Sequence, residues 1–421
     1  MKTALGSNKL KELPIVILSM SRWDSPISSA SWSLAKEFGK NNKVYYVDYP
    51  YTFSEWYRGR NSAPIQCRAQ ALIKGDQQLR TILTTRGGIV KCITPRIVFP
   101  VNWLKKGWVY NVFSSFNNKI MSAAIRKSLA EDKVEEFILF NSFNPTYLSN
   151  YRKYLSPRLS VYQSRDAIGA INAYTRKHGS YREIEAIRNY DLSIATSQNL
   201  SKDLSRSSGV PVLLFPNGGD TELFKIAWEM DGGAPAEIEN IKTPIIGYIG
   251  NICQRIDYVL VKKIAEAHPD KTLVLLGPRE DKIHTEIDLD ALPNIVFISP
   301  KKTEELPMFL RYFDCAIIPF LINDFTRSIY PLKINEYLAS GRAVVTTDFS
   351  PDISDFRKHI YLAGDHGQFV IMIDQAIRSN SKSAYQKRYQ AAKSNSWELR
   401  VEYFWKLATN TYEAILKNNS W

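Results

Sequence analysis

Nothing in this sequence approaches the run of about 20 apolar residues that a membrane-spanning helix needs. The longest N-terminal candidate, Leu13 to Met20, is eight residues long and ends in the polar pair Ser21-Arg22. It reads as a buried strand, so no secretory leader is expected. Cysteine is scarce: Cys67, Cys92, Cys253 and Cys315 lie far apart, with no C-x-x-C and no His-x-x-x-His beside them. A disulfide framework and a zinc site are therefore not expected, and a cytoplasmic setting fits. Internal repeats are absent as well. Acidic residues are in short supply in one half only. Residues 1–215 hold 31 Lys and Arg against 15 Asp and Glu, a net +16, whereas residues 216–421 hold 24 against 27, a net −3. A basic half beside a near-neutral one points to an anionic partner, a membrane surface or a nucleic acid. No nucleic-acid-binding motif accompanies the charge, so nucleic acid is not expected as a partner.

What is present is enough for two cores. The chain has 421 residues, 44% of them hydrophobic, where domains typically run to about 100–200 residues. In the first half, strand-like runs at Ile15–Met20, Val44–Asp48, Ile89–Ile93, Phe137–Asn141, Leu159–Gln163, Leu192–Thr196 and Val212–Phe215 alternate with amphipathic stretches such as Ala30–Phe38, Lys119–Leu129 and Tyr181–Asn189. That alternation predicts βαβ units around a parallel sheet. Pro216-Asn217-Gly218-Gly219-Asp220 then interrupts the chain as a hinge would. The rhythm restarts with strands at Ile245–Ile249, Thr272–Leu276, Ile295–Ile298, Cys315–Pro319, Ala343–Thr346 and Ile360–Leu362, and helices at Tyr258–Ala267, Leu306–Phe313, Lys333–Ser340 and Gly367–Arg378. Ser379–Ser396, rich in Ser, Asn and Lys, reads as a connector to a last helix over Trp397–Lys417. The expected fold class is α/β, two Rossmann-like domains facing one another across a cleft. The divisions are 1–215, 216–396 and a C-terminal helix over 397–421, for which packing back on the first domain is an option.

One stretch combines several chemical signals: Tyr330-Pro331-Leu332-Lys333-Ile334-Asn335-Glu336-Tyr337-Leu338-Ala339-Ser340-Gly341. Pro331 suits a first helical turn and Gly341 a helix end. Lys333 and Glu336, three apart, share a helix face near the N-terminus. Backbone N–H groups there attract an anion, Lys333 adds a cation, and Glu336 can accept from two vicinal hydroxyls. A nucleoside diphosphate would satisfy all three, although a plain surface Lys–Glu pair has the same spacing. Gly250, Asn251 and Arg255 follow a predicted strand, where a glycine lets backbone approach phosphate and an arginine one turn on can pair with it. The bland alternative joins Arg255 to Asp257.

The Tyr330–Gly341 stretch resembles the donor-binding segment of GT-B glycosyltransferases of family four. It is most similar to the P-L-K-x-x-E-Y-L-A members connected with polysaccharide and teichuronic-type cell-surface synthesis. Phe215–Phe224 resembles that family's hinge, Ile246–Asn251 with Arg255-Ile256-Asp257 its donor-domain opening, Leu273–Pro278 its L-x-G-P strand end, and Leu306–Phe320 its following segment. The resemblance implies donor contacts by Gly250, Asn251, Arg255, Tyr330, Leu332, Lys333 and Glu336, and retention of anomeric configuration. It departs at Ser328, eight positions before Glu336, where many members carry a second glutamate. Gly219 and Ala343 also replace the usual Val and Pro. Val161-Tyr162-Gln163-Ser164-Arg165-Asp166 resembles the family's V-Y-D-x-x-D loop, with Gln163 in place of the first Asp. Asp166 there, and Asp24 after the first strand, are the candidates for acceptor-side catalysis; each could instead cap a helix.

Two further features complete the expectation. Arg96 to Phe116 interleaves Phe99, Trp103, Trp108, Tyr110 and Phe113 with Arg96, Lys105 and Lys106, the chemistry of a membrane-interface patch or of core aromatics beside a basic loop. Asp288-Leu289-Asp290 spells the D-x-D of metal-dependent glycosyltransferases, but it sits in a polar loop, and no metal and no cofactor are expected. The function these features imply is transfer of a sugar from a nucleotide-sugar donor to a cell-surface polysaccharide or lipid-linked precursor, at the inner face of the cytoplasmic membrane. A nucleotide-sugar 2-epimerase of the same fold, or a degenerate GT-B chain that binds a partner transferase, are the alternatives.

Overall fold

The structure is a computed structural model that describes residues 9–25, 29–84, 87–170, 174–229, 232–280 and 287–418. The chain divides into two units, residues 1–216 with 401–421, and residues 217–400.

The first unit is built on an eight-stranded sheet. Its strands are β1 (Ile15–Ser19), β2 (Val44–Val47), β3 (Leu79–Leu83), β4 (Ile89–Ile93), β5 (Ile138–Ser142), β6 (Leu159–Ser164), β7 (Leu192–Ala195) and β8 (Val212–Leu214), in spatial order β3-β4-β2-β1-β5-β6-β7-β8. All neighbours are parallel except β3, which runs antiparallel to β4 at the edge. Strands β1, β2, β5, β6 and β7 are buried along their whole length, as expected where helices cover both faces of a parallel sheet. On one face, helix α1 (Ala30–Phe38) seats Phe38 against Phe140. A long helix, α2 (Trp108–Glu131), and α3 (Ser180–Asn189) complete the elements used below.

The second unit carries six strands: β9 (Ile245–Ile249), β10 (Thr272–Leu276), β11 (Ile295–Ile298), β12 (Cys315–Ile318), β13 (Val344–Thr347) and β14 (Tyr361–Ala363). Their order is β11-β10-β9-β12-β13-β14, every neighbour parallel. Helices α4 (Tyr258–Ala267), α5 (Leu332–Ala339), α6 (His366–Arg378) and α7 (Lys382–Lys393) pack around it. The parallel part of each sheet reverses strand order once, at β1/β5 and at β9/β12, and ligand crevices of such sheets open at the strand C-termini beside that reversal.

Two findings differ from the reading of the sequence. Strand β3 was not anticipated; its sequence, Leu-Arg-Thr-Ile-Leu, is half exposed at the sheet edge and lacks the apolar run that marks the central strands. The stretch read as a connector, 379–396, contains α7. Ser381 caps it by accepting from Ala384 N–H, and Arg388 donates to the carbonyl of Gly341 at 2.9 Å. Burial of Tyr389 and Ala392 then holds a helix whose composition alone is too polar to announce one. The last helix, α8 (Trp397–Asn418), starts inside the second unit, where Gly219 N–H donates to the Asn395 carbonyl and Trp397 N–H to that of Gly219. From Val401 its residues belong to the first unit, with the Phe404 ring edge-on to Phe38 at 5.0 Å and tilted against Phe140 at 5.5 Å.

Candidate functional site

In the second unit the residues singled out from the sequence gather at the β9/β12 reversal. Strand β9 ends at Gly250, which adopts φ +150°, and β10 ends at Gly277, with φ +147°. A Cβ on Gly277 would collide with the Gly250 carbonyl, and one on Gly250 would lie 2.7 Å from Lys333 Nζ and overlap its Cε. Both glycines are thus required by conformation and by space. Helix α5 is fastened to β9 by Tyr337: its hydroxyl accepts from Ile249 N–H at 2.9 Å and donates to the Ile249 carbonyl at 3.2 Å. At the helix end, Gly341 takes φ +75° as its terminator. The start, at Pro331, has no side-chain cap; Leu332 N–H donates to the Tyr330 carbonyl at 2.9 Å and Ile334 N–H to that of Pro331 at 3.0 Å, and the helix dipole places its positive end there.

Lys333 and Glu336 are half-buried on the face of α5 that looks toward this crevice. The Lys333 stem lies over Gly250, with its ammonium 5.8 Å from the centre of the Tyr248 ring. Burial pushes the Glu336 carboxyl up to about 7, against the pull of the Lys333 ammonium and with a push from Asp220. Burial also lowers the Lys333 pKa, opposed by Glu336 and reinforced by the nearby Arg255 guanidinium. No hydrogen bond reaches the Glu336 carboxylate among the described residues. This is not a solvated surface pair; it is a cation and a carboxyl group both short of solvent and of partners.

The flanking residues are placed as follows. Arg255 Nε donates to Cys253 Sγ at 3.2 Å, and its guanidinium lies 5.9 Å from the rings of Phe320 and Phe325. Asp257 caps α4 through Leu260 N–H and lies 2.8 Å from His366 Nε2. Asn251 donates to Glu280 at 3.3 Å, and its carbonyl accepts from Tyr248. Tyr330 is buried under the start of α5, its hydroxyl accepting from Asn335 at 3.3 Å, and Leu332 is half-buried beside it. Ser328 occupies a single 3₁₀ turn, Thr326–Ser328. Beyond the Arg255–Asp257 segment a cavity of about 600 Å³ opens at the ends of β12, β13 and β14, lined by Asp257, Phe320, Thr347, Asp365, His366 and Gly367. Asp290 of the D-x-D is held by both terminal nitrogens of Arg279 at 2.8 and 2.6 Å, and Asp288 accepts from Asp290 N–H. Among the described residues no three His, Cys, Asp or Glu side chains form a metal-binding group.

In the first unit the two carboxylate candidates follow different strands, Asp24 after β1 and Asp166 after β6. Asp24 receives a bidentate pair from Arg68, both contacts at 2.7 Å, and Arg68 Nε also reaches Asp48 at 3.2 Å. Asp48 is buried and its carboxyl is pushed up to about 6 by that burial, against the pull of Arg68. Asp24 therefore acts as the partner of a buried arginine. Neither Arg68 nor Asp48 was singled out from the sequence, because the triad joins residues from three separate stretches. Asp166 is half-buried just past β6, next to Arg165. Of the aromatics between Phe99 and Phe116, Tyr110 is buried, whereas Trp103 and Trp108 are 71% and 78% exposed. Lys106 lies over the Tyr181 ring at 4.4 Å. Among the described residues no helix is long and apolar enough to cross a membrane.

Residues 243–379 match the family described as glycosyl transferases group 1. That stretch lies within the second unit. A relative named for teichuronic acid biosynthesis, the glycosyltransferase TuaH of Bacillus subtilis (strain 168), whose own assignment is provisional, is 26% identical over 240 residues, covering 54% of this chain and 59% of the relative. Among solved structures, the sucrose-phosphate synthase of Thermosynechococcus elongatus superposes with a TM-score of 0.64 at 13% identity, covering 96% of this chain and all of that one. The trehalose-6-phosphate synthase of E. coli bound with UDP-2-fluoro glucose gives 0.57 at 11% identity, over 96% and 98% of the two chains. At such identities the likeness establishes the fold, a two-domain GT-B-like α/β architecture with parallel sheets.

Proposed function

We propose that this glycosyltransferase-fold chain moves a sugar from a nucleotide-sugar donor to a cell-surface polysaccharide or lipid-linked precursor, with retention and without a metal ion. The observation that carries the reading is the Lys333–Glu336 pair, set over the Gly250 and Gly277 turns and short of partners. Glu336 accepts from the two ribose hydroxyls, and Lys333 with Arg255 neutralises the diphosphate as it leaves, the work a divalent ion would otherwise do. Gly250 and Asn251 let the backbone come close to phosphate, while Tyr330 and Leu332 shape the approach to the start of α5. Asp166 orients the acceptor or steadies positive charge at the anomeric carbon, and Asp24 acts through Arg68. The donor is consumed as substrate, with no cofactor.

The teichuronic acid relative supports a cell-envelope acceptor. The exposed Trp103 and Trp108, flanked by Lys105 and Lys106 in the half that carries the net +16, support docking on an anionic membrane at its cytoplasmic face. The test is a thermal-shift screen of the purified chain against UDP-, GDP-, ADP- and CMP-sugars. One class should raise Tm, since a ligand at 100 times its Kd adds about 2.7 kcal/mol, and transfer with that donor should survive EDTA. No shift with any of the four would remove the donor assignment.

A further inference from the structure

At the β1/β5 reversal, the first unit presents a row of polar groups that the donor-side reading leaves unused. Ser19, Ser142 and Gln163 are in register across β1, β5 and β6, so their side chains stand on one face of the sheet. All three are buried. Ser142 Oγ donates to Gln163 Oε1 at 2.8 Å, and the other end of that carboxamide, Nε2, is a buried donor with no acceptor among the described residues. Two residues on, just past the end of β6, Arg165 repeats the pattern. Its Nε is buried without an acceptor, and its guanidinium lies 5.4 Å from the Phe143 ring. Burial lowers the Arg165 pKa, with Asp166 and the Tyr46 hydroxyl pulling the other way.

Hydroxyl groups flank this row. Ser19, Ser21, Ser29, Ser31 and Tyr46 touch one another in a chain of contacts, among them Ser19–Ser31 at 2.8 Å, Ser21–Ser29 at 2.8 Å and Ser21–Tyr46 at 2.7 Å. Ser29 is the N-cap of α1, and no acidic residue lies in the first turn of that helix. Each hydroxyl has one rotatable proton, so the chain can turn a donor outward while its other links persist. Ser21, Ser29 and Arg165 are half-buried, and the groups beneath them are fully buried.

Two buried donors without an acceptor among the described residues, Arg165 Nε and Gln163 Nε2, destabilise the empty protein. A group with several acceptor oxygens and negative charge would satisfy both at once, in the fork geometry that arginine favours. We propose that Gln163, Arg165 and the serine–tyrosine hydroxyls form an oxyanion subsite that takes a phosphate or carboxylate group of the acceptor. The word acceptor rests on the proposed transfer reaction; binding of the oxyanion does not.

The experiment uses the full chain with Lys333→Ala and Arg255→Ala, which removes the donor-side cations. Isothermal titration follows inorganic pyrophosphate in one arm and glucuronate in the other, each with and without Arg165→Gln. At least one probe should bind, and Arg165→Gln should weaken it by about tenfold or more. Binding of pyrophosphate alone assigns a phosphorylated acceptor, and of glucuronate alone an acidic sugar. The same substitution should raise Tm in the absence of probe, because it removes a partly desolvated cation with an unsatisfied Nε donor; a purely structural arginine would lower Tm. Gln163→Met, with no charge change, should weaken the same probe by about threefold and covers the case in which the Arg165 variant does not fold. Absence of binding by both probes, or unchanged affinity in the variants, overturns the proposal. A wild-type chain that binds a probe through Arg165 yet transfers no sugar would sink the transferase reading and leave this subsite standing.

Discussion

The parallel part of each sheet reverses its strand order once, β1 beside β5 in the first unit and β9 beside β12 in the second, and the two crevices are furnished by different means. At β9/β12 the chemistry comes from one short helix and two glycine turns: Lys333 and Glu336 are a single helical turn apart, and Gly250 admits the lysine stem. At β1/β5 it comes from side chains placed in register by strand pairing, with Ser19, Ser142 and Gln163 drawn from three separate strands. The first arrangement presents backbone N–H groups and a helix end, which suit any nucleoside diphosphate. The second presents particular side chains, which can be exchanged one at a time. A donor shared by many enzymes and an acceptor peculiar to one would call for that division.

The comparison can be broken at four points. The largest effect is expected in the first unit, where Asp24→Ala leaves the buried Arg68 with Asp48 as its one carboxylate partner. Loss of a buried pair's partner should cost about 3 kcal/mol of stability, read by urea denaturation, with transfer activity following the folded fraction. An unchanged midpoint with lost activity would instead make Asp24 directly catalytic. Next, Glu336→Gln should weaken nucleotide binding by roughly 1.5–3 kcal/mol, measured by calorimetry. Because its folded pKa is raised to about 7 from the ordinary 4.5, the folded state holds the proton longer than the unfolded one. The contribution of Glu336 to stability therefore falls as pH rises between those values. Donor affinity should move the opposite way, weakening as pH drops below about 7, since ribose hydroxyls need the ionised carboxylate. In Glu336→Gln both trends should flatten, and the variant should melt higher than wild type above pH 7.

A smaller effect separates two cations of the same crevice. Lys333→Ala and Arg255→Ala should lower kcat by more than they weaken nucleoside binding, because their target is the diphosphate. Wild-type transfer kinetics in either variant would mark that residue as a bystander. The smallest concerns the surface of the first unit. Lys105→Glu with Lys106→Glu should reduce sedimentation with anionic vesicles, each lysine contributing about 1 kcal/mol, and high salt should do the same. Equal recovery with neutral vesicles would favour a soluble acceptor.

Much of the β9/β12 crevice was legible because its parts are neighbours in the chain. A helix of eight residues with Pro331 before it and Gly341 after it puts Lys333 and Glu336 on one face by its pitch alone. Central strands such as Ile245–Ile249 and Thr272–Leu276 announced themselves by unbroken apolar runs, as buried parallel strands do. Edge strand β3 and helix α7 did not, since an edge is half solvated and α7 depends on Arg388, Tyr389 and Ala392 meeting other elements. The Asp24–Arg68–Asp48 triad was equally invisible, its members lying 20 and 44 positions apart.

The sequence by itself determined the two α/β units, the break between them at Pro216–Asn217 and the pairing of Lys333 with Glu336, because periodicity, turn chemistry and helical pitch act over a few residues. Only the tertiary structure decided that these two charges are short of solvent, that Asp24 is bound to Arg68, and that Gln163 and Arg165 are left with buried donors. Burial and hydrogen-bond satisfaction depend on which distant segments arrive beside a side chain, and strand order and register set that.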